Sequence, residues 1–377
     1  MELELEGDQE LLVETTRRFL RSESPLSEVR RLVEDPVGFE RGYWRQAAEL
    51  GWTAMLVPEA LGGGSVSGHG LLDLVLVAEE VGRLVAPGPL LPVNVVADAI
   101  ARRGSEQQQA DLLPGLVSGA TIATWAFTEG DATWDAAGVR MQAVAARSGF
   151  ALTGRKAFVQ DAGVADWFLV TAKAGDGLTQ FLVPRETPGI TVTPLVSLDM
   201  TRRLGDVDFA AVAVPASAVL GPVGGAAADV ERQLQVALVI QNAETVGATS
   251  VVFETSLEYC QNRVSFGRPI GSYQALKHKL ADMKLSLEAC HGTASASARA
   301  VQDGTDDAAE LVSVAKAYIG DRAPSIIQDG VQLHGGIGVT WEADLHLYLR
   351  RVAQNAALYG SVRQHRARLA AMLGVGA

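Results

Sequence analysis

The hydrophobic pattern of this 377-residue chain changes its period twice, and this constrains the fold more than any other feature. Residues 1–120 and 226–377 repeat their apolar residues with helical spacing, whereas residues 121–225 contain short β-branched runs separated by turn residues. Helices, then strands, then helices predict an α+β protein with an N-terminal helical domain, a middle antiparallel β domain and a C-terminal four-helix bundle. At about 150 residues per domain, the length also fits two to three domains.

Within the helical zones the apolar residues indicate where the buried faces lie. Residues 70–85 have the length and apolar density of a buried helix. One face of the first predicted helix carries Leu11, Leu12, Phe19 and Leu20. A 4-3-4-3-4 spacing predicts the seam of a bundle helix at Leu276, Leu280, Met283, Leu287, Cys290 and Ala294.

Composition excludes several classes of protein. The chain has 32 Lys and Arg against 44 Asp and Glu, a net charge of −12, so a nucleic-acid partner is not expected. Its two cysteines exclude a disulfide scaffold and a thiolate zinc site, and they fit a reducing cytoplasm. The acidic N-terminus lacks the basic region of a signal peptide, and we expect no membrane span.

Short catalytic motifs are missing from the sequence. It contains no Gly-x-Gly-x-x-Gly after a strand, no His-Glu-x-x-His and no Gly-x-Ser-x-Gly, and its six histidines are scattered. Motifs of this kind therefore predict no metal site and no nucleophile.

Longer motifs carry a resemblance to a known family. Residues 259–283 resemble the Tyr-x-x-x-Arg-x-x-Phe-Gly-x-Pro-Ile…Leu-Ala-Asp-Met signature of the acyl-CoA dehydrogenases, and residues 332–342 resemble their Gln-x-x-Gly-Gly-x-Gly motif with its following Glu. Thr128-Glu129 with Asp135 resembles the loop that opens their β domain. The resemblance covers essentially the whole chain.

The resemblance implies a fold and an activity. The family has the helical, β and helical domains expected above, binds FAD and desaturates an acyl-CoA thioester between Cα and Cβ. A carboxylate removes the α-proton, the flavin accepts the β-hydride, and an electron-transfer flavoprotein is the usual acceptor. A correctly placed base contributes roughly 10²–10⁴-fold to the rate.

In this family each FAD lies across two chains, so the matched residues form two groups. By motif match, one group faces the FAD of a neighbouring chain, and a guanidinium suits its pyrophosphate; it comprises Arg263, Ser265, Phe266, Gln274, Gln332, Gly335 and Gly336. The other group corresponds to contacts with the flavin ring of the chain itself; it comprises Trp125, Phe127 and Thr128.

The flavin-ring group departs from the family pattern. The serine before the loop aspartate is Trp134, the loop proline is Gly130, and the threonine that usually bonds the flavin is Gln160. Trp134 adds a large volume where the family has a small side chain.

Neither usual position for the catalytic base holds a carboxylate. One position is Tyr359, and a tyrosine with a pKa near 10 is a poor base at pH 7. The other position, 26 residues before Arg263, is Ala237, followed by Leu238 where the family often has an arginine. The nearest acid on that predicted helix is Glu244, a weak candidate.

One hypothesis explains both observations. The chain is the half without a base in an α2β2 acyl-CoA dehydrogenase, and a homologous subunit carries the glutamate. Residues 341–350 resemble a branch of actinobacterial paired enzymes that act on bulky, steroid side-chain CoA thioesters. The alternatives are a self-sufficient homotetramer that uses Glu244 or Tyr359, a flavin monooxygenase or oxidase on the same fold, and a structural partner that binds neither FAD nor substrate.

Overall fold

A computed structural model describes residues 5–375; residues 1–4, part of the acidic N-terminal segment, and residues 376–377 lie outside it. The chain begins with a group of helices that pack around an apolar core. They are α1 (Gly7–Glu23), α2 (Leu26–Arg31), α3 (Arg41–Glu49), α4 (Gly70–Arg83), α5 (Leu90–Arg103) and α6 (Glu106–Val117).

Helix α1 follows its predicted face except at one position. Leu12 and Leu20 are buried and Phe19 packs against the core, but Leu11 is 58% exposed. The buried face repeats every three to four residues through Leu12, Thr16 and Leu20. Leu11 lies about 100° away from Leu12 around the helix, so the prediction for Leu11 was wrong.

The middle of the chain forms one eight-stranded sheet. In sheet order β6, β7, β3, β2, β4, β5 and β8 are neighbours, while β1 pairs with β4. The strands are β1 (Ala123–Ala126), β2 (Gln142–Ala146), β3 (Gly149–Gln160), β4 (Trp167–Ala174), β5 (Gly177–Pro184), β6 (Ile190–Leu195), β7 (Leu204–Pro215) and β8 (Val219–Leu220).

Most strand pairs are antiparallel, as expected, but β1 runs parallel to β4 from Ala123, opposite Trp167, to Ala126, opposite Val170. The β2–β3 hairpin lies between these strands in sequence and supplies the long connection that parallel strands require. A parallel pair cannot be recognised from alternation within one strand, so the sequence did not indicate it.

The C-terminal region begins with three long helices, and two shorter helices complete the bundle. The elements are α7 (Ala227–Asn262), a small hairpin of β9 (Val264–Ser265) and β10 (Arg268–Pro269), α8 (Gln274–Asp303), α9 (Ala308–His334), α10 (Leu345–Asn355) and α11 (Val362–Met372). The predicted seam of α8 is buried from Leu280 to Ala294, with Leu276 partly buried.

Helix α7 is the central helix of the protein. It is long and apolar enough to cross a membrane by length and composition, but 94% of its most apolar window is buried inside the protein. Such burial identifies a core helix, which explains why its apolar residues surround the helix on all sides.

Helices α4 and α7 cross in backbone contact at two reciprocal glycines. A Cβ atom at Gly82 would lie 2.0 Å from the Glu244 carbonyl oxygen, and one at Gly247 would lie 2.0 Å from the Glu79 carbonyl oxygen. These distances leave no room for any side chain, so the crossing requires glycine on both helices.

We predict that Gly247→Ala lowers the free energy of unfolding by about 1–3 kcal/mol, because the added methyl group forces the helices apart. Urea denaturation measures this change. Gly292→Ala is the matched control: it lies in α8 with nothing within 4 Å of its added Cβ, and alanine there is neutral or stabilising by up to about 1 kcal/mol. Equal effects of the two substitutions would contradict the requirement for close contact.

Candidate functional site

Four aromatic side chains from distant parts of the sequence meet beside β1, and we call them the ring-side cluster: Trp125, Phe127, Trp134 and Tyr359. Trp125 and Phe127 stack with ring centroids 4.6 Å apart and planes 4° apart. Trp134 and Tyr359 lie 4.9 Å apart, and Trp125 and Tyr359 6.4 Å apart. All four side chains are buried. Three of them were predicted on the flavin-ring side, and the fourth, Tyr359, is one of the two base positions.

Local structure explains how the cluster forms. Trp125 and Phe127 lie two residues apart along an extended segment and therefore face the same side. The following loop turns back because the Thr128 hydroxyl donates a hydrogen bond to the Thr133 carbonyl at 2.8 Å, which directs Trp134 onto Phe127. Tyr359 follows α10 with a φ of +59°, a rare conformation for a bulky residue.

The polar residues expected near a flavin ring bond to their own chain. The Thr128 carbonyl accepts a hydrogen bond from the Ala157 amide at 2.9 Å, in addition to the hydroxyl contact described above. The Gln160 side-chain amide donates to the Asp161 carboxyl at 3.0 Å. Among the described residues, Gln160 Oε1 and Trp125 Nε1 are buried without a partner.

A buried lysine braces the segment that carries Phe127. Lys156 Nζ donates to the Phe127 carbonyl and to Glu129 Oε1, both at 2.9 Å. Burial lowers the pKa of Lys156 to about 8, while the Glu129 carboxylate opposes the shift. Glu129 also accepts hydrogen bonds from the amides of Arg140 and Met141, so this loop is held from both sides.

The two base positions lie in apolar surroundings. Ala237 and Leu238 are fully buried in α7. Burial raises the pKa of the Tyr359 hydroxyl well above its usual range, and the Arg202 guanidinium only partly offsets this effect. The phenolate form that could accept a proton is consequently less populated at neutral pH in the fold than in water.

Glu244 takes part in a buried ion network. Its Oε2 accepts a hydrogen bond from Arg202 Nη2 at 2.6 Å, its Oε1 lies 3.7 Å from Arg351 Nη1, and its side chain is 4% exposed. Arg351 also pairs with Asp199, and Arg202 donates to Asn355 Oδ1 at 2.9 Å. The network joins the β6–β7 loop to α7 and α10.

Asp199 in this network and Asp161 beside it have pKa shifts in opposite directions. Burial opposes ionisation of Asp199, but Arg351 and Arg202 hold the pKa of its carboxyl below the usual value. Burial raises the pKa of Asp161 to about 6, against the Gln160 hydrogen bond and the more distant arginines. Both carboxyls are fully buried, so the difference in their pKa comes from how closely an arginine pairs with each one.

The second group of predicted residues lies around the C-terminal end of α7, and we call it the nucleotide-side surface: Arg263, Ser265, Phe266, Gln274, Gln332, Gly335 and Gly336. The β9–β10 hairpin projects from the end of α7. Its turn holds Phe266 at a φ of +53°, with 95% of the side chain exposed. An exposed phenyl ring on a rare backbone conformation makes this surface a candidate for binding.

Stacked rings bring the helix ends of this surface together. Tyr259 near the end of α7 stacks on His334 at the end of α9, with centroids 4.4 Å apart. Gln332 and Gly335 are therefore close to the end of α7, and both are exposed. Gln274 begins α8 at the same end.

The nucleotide-side surface has unused positive charge. Arg263, Arg268 and Lys277 are exposed. Among the residues that the structure describes, no carboxylate lies within ion-pair distance of them, although Arg268 stacks over the Tyr273 ring. Free guanidinium groups suit a pyrophosphate.

The two groups are far apart within one chain. Glu244, whose network borders Tyr359, lies 19 residues before Arg263 on α7, and at 1.5 Å per residue this is about 28 Å. A single chain therefore cannot bring both groups to the same part of a ligand.

Comparisons with known proteins agree with this architecture. Profiles described as the acyl-CoA dehydrogenase N-terminal, middle and C-terminal domains match residues 6–120, 124–212 and 227–374. Acyl-CoA dehydrogenase IpdE2 of Mycolicibacterium smegmatis is 30% identical over 368 residues, covering 97% of this chain and 98% of that protein. The chain belongs to the acyl-CoA dehydrogenase family, whose members are FAD-dependent oxidoreductases that act on acyl-CoA.

Solved structures give the same result. A variant of the Tcur3481-Tcur3483 steroid ACAD is 29% identical with a TM-score of 0.87, covering 97% of this chain and 98% of that chain. The ChsE4-ChsE5 complex from Mycobacterium tuberculosis is 27% identical with a TM-score of 0.88, covering 99% of each chain. PigA with FAD and proline is 26% identical with a TM-score of 0.90 and full coverage of both chains.

FAD fits one of the two groups and not the other. The nucleotide-side surface offers exposed cations, an exposed ring and a helix N-terminus to a pyrophosphate and a base. In the ring-side cluster the rings cover each other, and the Thr128 hydroxyl and the Gln160 side-chain NH2 bond to their own chain.

Sequence reasoning missed the buried ion network. Asp199 and Arg202 lie in a loop, while their partners Glu244, Arg351 and Asn355 follow 42 to 153 residues later. No local spacing connects charges this distant in sequence, and only their unusual burial identifies them.

We predict that Glu244→Gln lowers the free energy of unfolding by about 3–5 kcal/mol, because it leaves buried arginine charge without its partner. Urea denaturation measures the change. Glu254→Gln is the control on the same helix: Glu254 pairs with Arg83 but its side chain is 56% exposed, so its loss costs less than about 1 kcal/mol. A small effect at Glu244 would show that the network is not a stabilising pair.

We predict that Asp161→Asn alters the pH dependence of stability. The folded pKa of Asp161 is about 6 against an ordinary value of 3.8, so the folded protein retains this proton and loses stability as pH rises from about 4 to about 6. The variant lacks this loss, which amounts to about 3 kcal/mol at pH 7. Urea denaturation of both proteins at pH 4 and pH 7 tests this. If the free energy of unfolding changes by the same amount between the two pH values in both proteins, the prediction is contradicted.

Proposed function

We propose that this chain is the subunit without the base in an α2β2 FAD-dependent acyl-CoA dehydrogenase. A homologous subunit supplies the catalytic glutamate, and the assembly desaturates the α,β bond of an acyl-CoA thioester in the cytoplasm. The observation that carries the proposal is the contrast between the middle of α7 and its C-terminal end: the nucleotide-side surface at that end is exposed, whereas every candidate base is buried or ion-paired.

The candidate bases support this assignment by their surroundings. Ala237 has no acid group, and the Tyr359 hydroxyl is buried with a raised pKa. Glu244 would have to leave two arginines before it could accept a proton. A homotetramer that relies on Glu244 or Tyr359 would require a rearrangement of the buried network.

The nucleotide-side surface defines what the chain contributes. Arg263 would pair with the pyrophosphate of a FAD whose ring lies in the partner subunit, and Phe266 would cover an apolar face of that cofactor. Gln332 with Gly335 and Gly336 would provide hydrogen-bonding groups and close backbone approach. FAD supplies the hydride acceptor of the reaction, and this chain orients FAD and excludes water from its phosphates.

The comparisons support a paired assembly and a bulky substrate. The names of two structural neighbours join two proteins, and one of them is called a steroid ACAD. By analogy, we propose a bulky acyl group such as a steroid side chain, and an electron-transfer flavoprotein as the acceptor.

Co-expression with a homologue that carries a glutamate at the position of Tyr359 or Ala237 tests the proposal. We expect the isolated chain to be colourless and the co-purified complex to contain FAD that acyl-CoA reduces without oxygen. Absorbance at the flavin band measures both results. An isolated chain that binds FAD fully and is reduced by acyl-CoA would contradict the proposal.

Arg263→Ala in this chain is expected to weaken FAD retention by the complex at least tenfold, because a charge-assisted contact to phosphate contributes about 1.5–3 kcal/mol. FAD released during gel filtration measures the effect, and Arg263→Lys should restore part of it. Arg21→Ala removes an exposed arginine from α1 and is the control. Equal retention in the two alanine variants would show that Arg263 does not bind FAD.

A further inference from the structure

We infer that the ring-side cluster, Trp125, Phe127, Trp134 and Tyr359, replaces an isoalloxazine ring in this chain, so that the chain binds no flavin ring of its own. The inference rests on the proposed function, in which this chain has no catalytic base. It adds that the same chain also holds no flavin ring of its own. The observations that support it come from the ring-side cluster and do not involve the nucleotide-side surface.

The spacing of the rings excludes a planar ligand between them. Aromatic layers in contact are about 3.5–4.0 Å apart, so a flavin inserted between two rings requires about 7 Å or more. Trp125 and Phe127 are 4.6 Å apart and nearly parallel. Trp134 and Tyr359 are 4.9 Å apart. The facing sides of these rings are therefore closed to a flavin.

Hydrogen bonds fix the backbone that carries Tyr359. The Tyr359 carbonyl is bonded to His365 Nε2 at 3.0 Å, and the adjacent Leu358 carbonyl accepts from Lys316 Nζ at 2.8 Å. Both of these partners are buried. Movement of Tyr359 would therefore leave buried polar groups without partners, which is costly.

Trp125 and Gln160 carry buried polar atoms of the kind that a flavin ring pairs with. Trp125 Nε1 is a buried donor and Gln160 Oε1 a buried acceptor, and neither has a partner among the described residues. Trp134 also lines a cavity of about 360 Å³ on its outer side, next to Asp135 and His365. Shortening Trp134 would extend this cavity toward the cluster and expose the unpaired donor and acceptor.

Riboflavin tests the inference, because it carries the isoalloxazine ring but no adenosine or pyrophosphate. We expect the wild-type chain not to quench riboflavin fluorescence saturably. The double variant Trp134→Ser/Tyr359→Ala should bind riboflavin at least tenfold more tightly than the wild type. Saturable binding by the wild type, or a folded double variant that binds no better than the wild type, would overturn the inference.

The control removes two stacked rings from another part of the core. Phe19 and Tyr43 stack with centroids 5.5 Å apart near α1 and α3. Phe19→Ser/Tyr43→Ala loses comparable volume, and we expect no riboflavin binding. Equal binding by both double variants would indicate general loosening and overturn the inference.

The FAD content of the co-purified complex is a second measurement that does not depend on folding of the variants. We expect one FAD for every two chains, and one FAD per chain would overturn the inference while leaving the heteromeric assembly intact. Loss of FAD in Arg263→Ala tests the proposed function instead, and it leaves the riboflavin result unchanged. The two proposals therefore fail separately.

Discussion

The buried pairing of two arginines with two carboxylates is the interaction on which the interior of this protein depends. Arg202 with Glu244 and Arg351 with Asp199 place four charges where water does not reach. An unpaired charge there is far more costly than the pair itself. The network therefore holds the β6–β7 loop against α7 and α10 in one arrangement, and α10 in turn positions the turn that carries Tyr359. The aromatic cluster beside β1 is consequently a fixed part of the structure.

The same helix, α7, has opposite chemistry at its middle and at its end. Around Glu244 it is enclosed by helices, and at Gly247 its backbone touches that of α4. About 28 Å further on, Arg263 begins an exposed surface with free cations and a projecting phenyl ring. In the proposed function, such a chain completes the site of a partner. The proposed division of roles needs no new fold, because a few side chains are sufficient to create it on a common scaffold.

Much of the architecture could be predicted from the sequence, and the exceptions have physical reasons. The buried helix at α4 and the seam of α8 followed from 3.6-residue periodicity, which depends only on local geometry. The exposure of Leu11 and the parallel pairing of β1 with β4 did not follow, since both depend on which neighbouring element covers a face or an edge. The motif residues of the candidate site stay predictions, and Phe266 and Arg263 are exposed in the structure. The contacts of Tyr359 with Trp125 and Trp134 were not foreseen, because they connect residues more than 200 positions apart.

The sequence by itself determined the order of helices, strands and helices, the membership in the acyl-CoA dehydrogenase family and the absence of a carboxylate at both usual base positions. These are properties of residue identity and local spacing. Only the tertiary structure decided that Glu244 is held by arginines, that Tyr359 is buried and that four aromatic rings close on one another. Burial, pairing and ring stacking arise between segments distant in the chain, so they exist only once the β domain and the helical bundle have packed together.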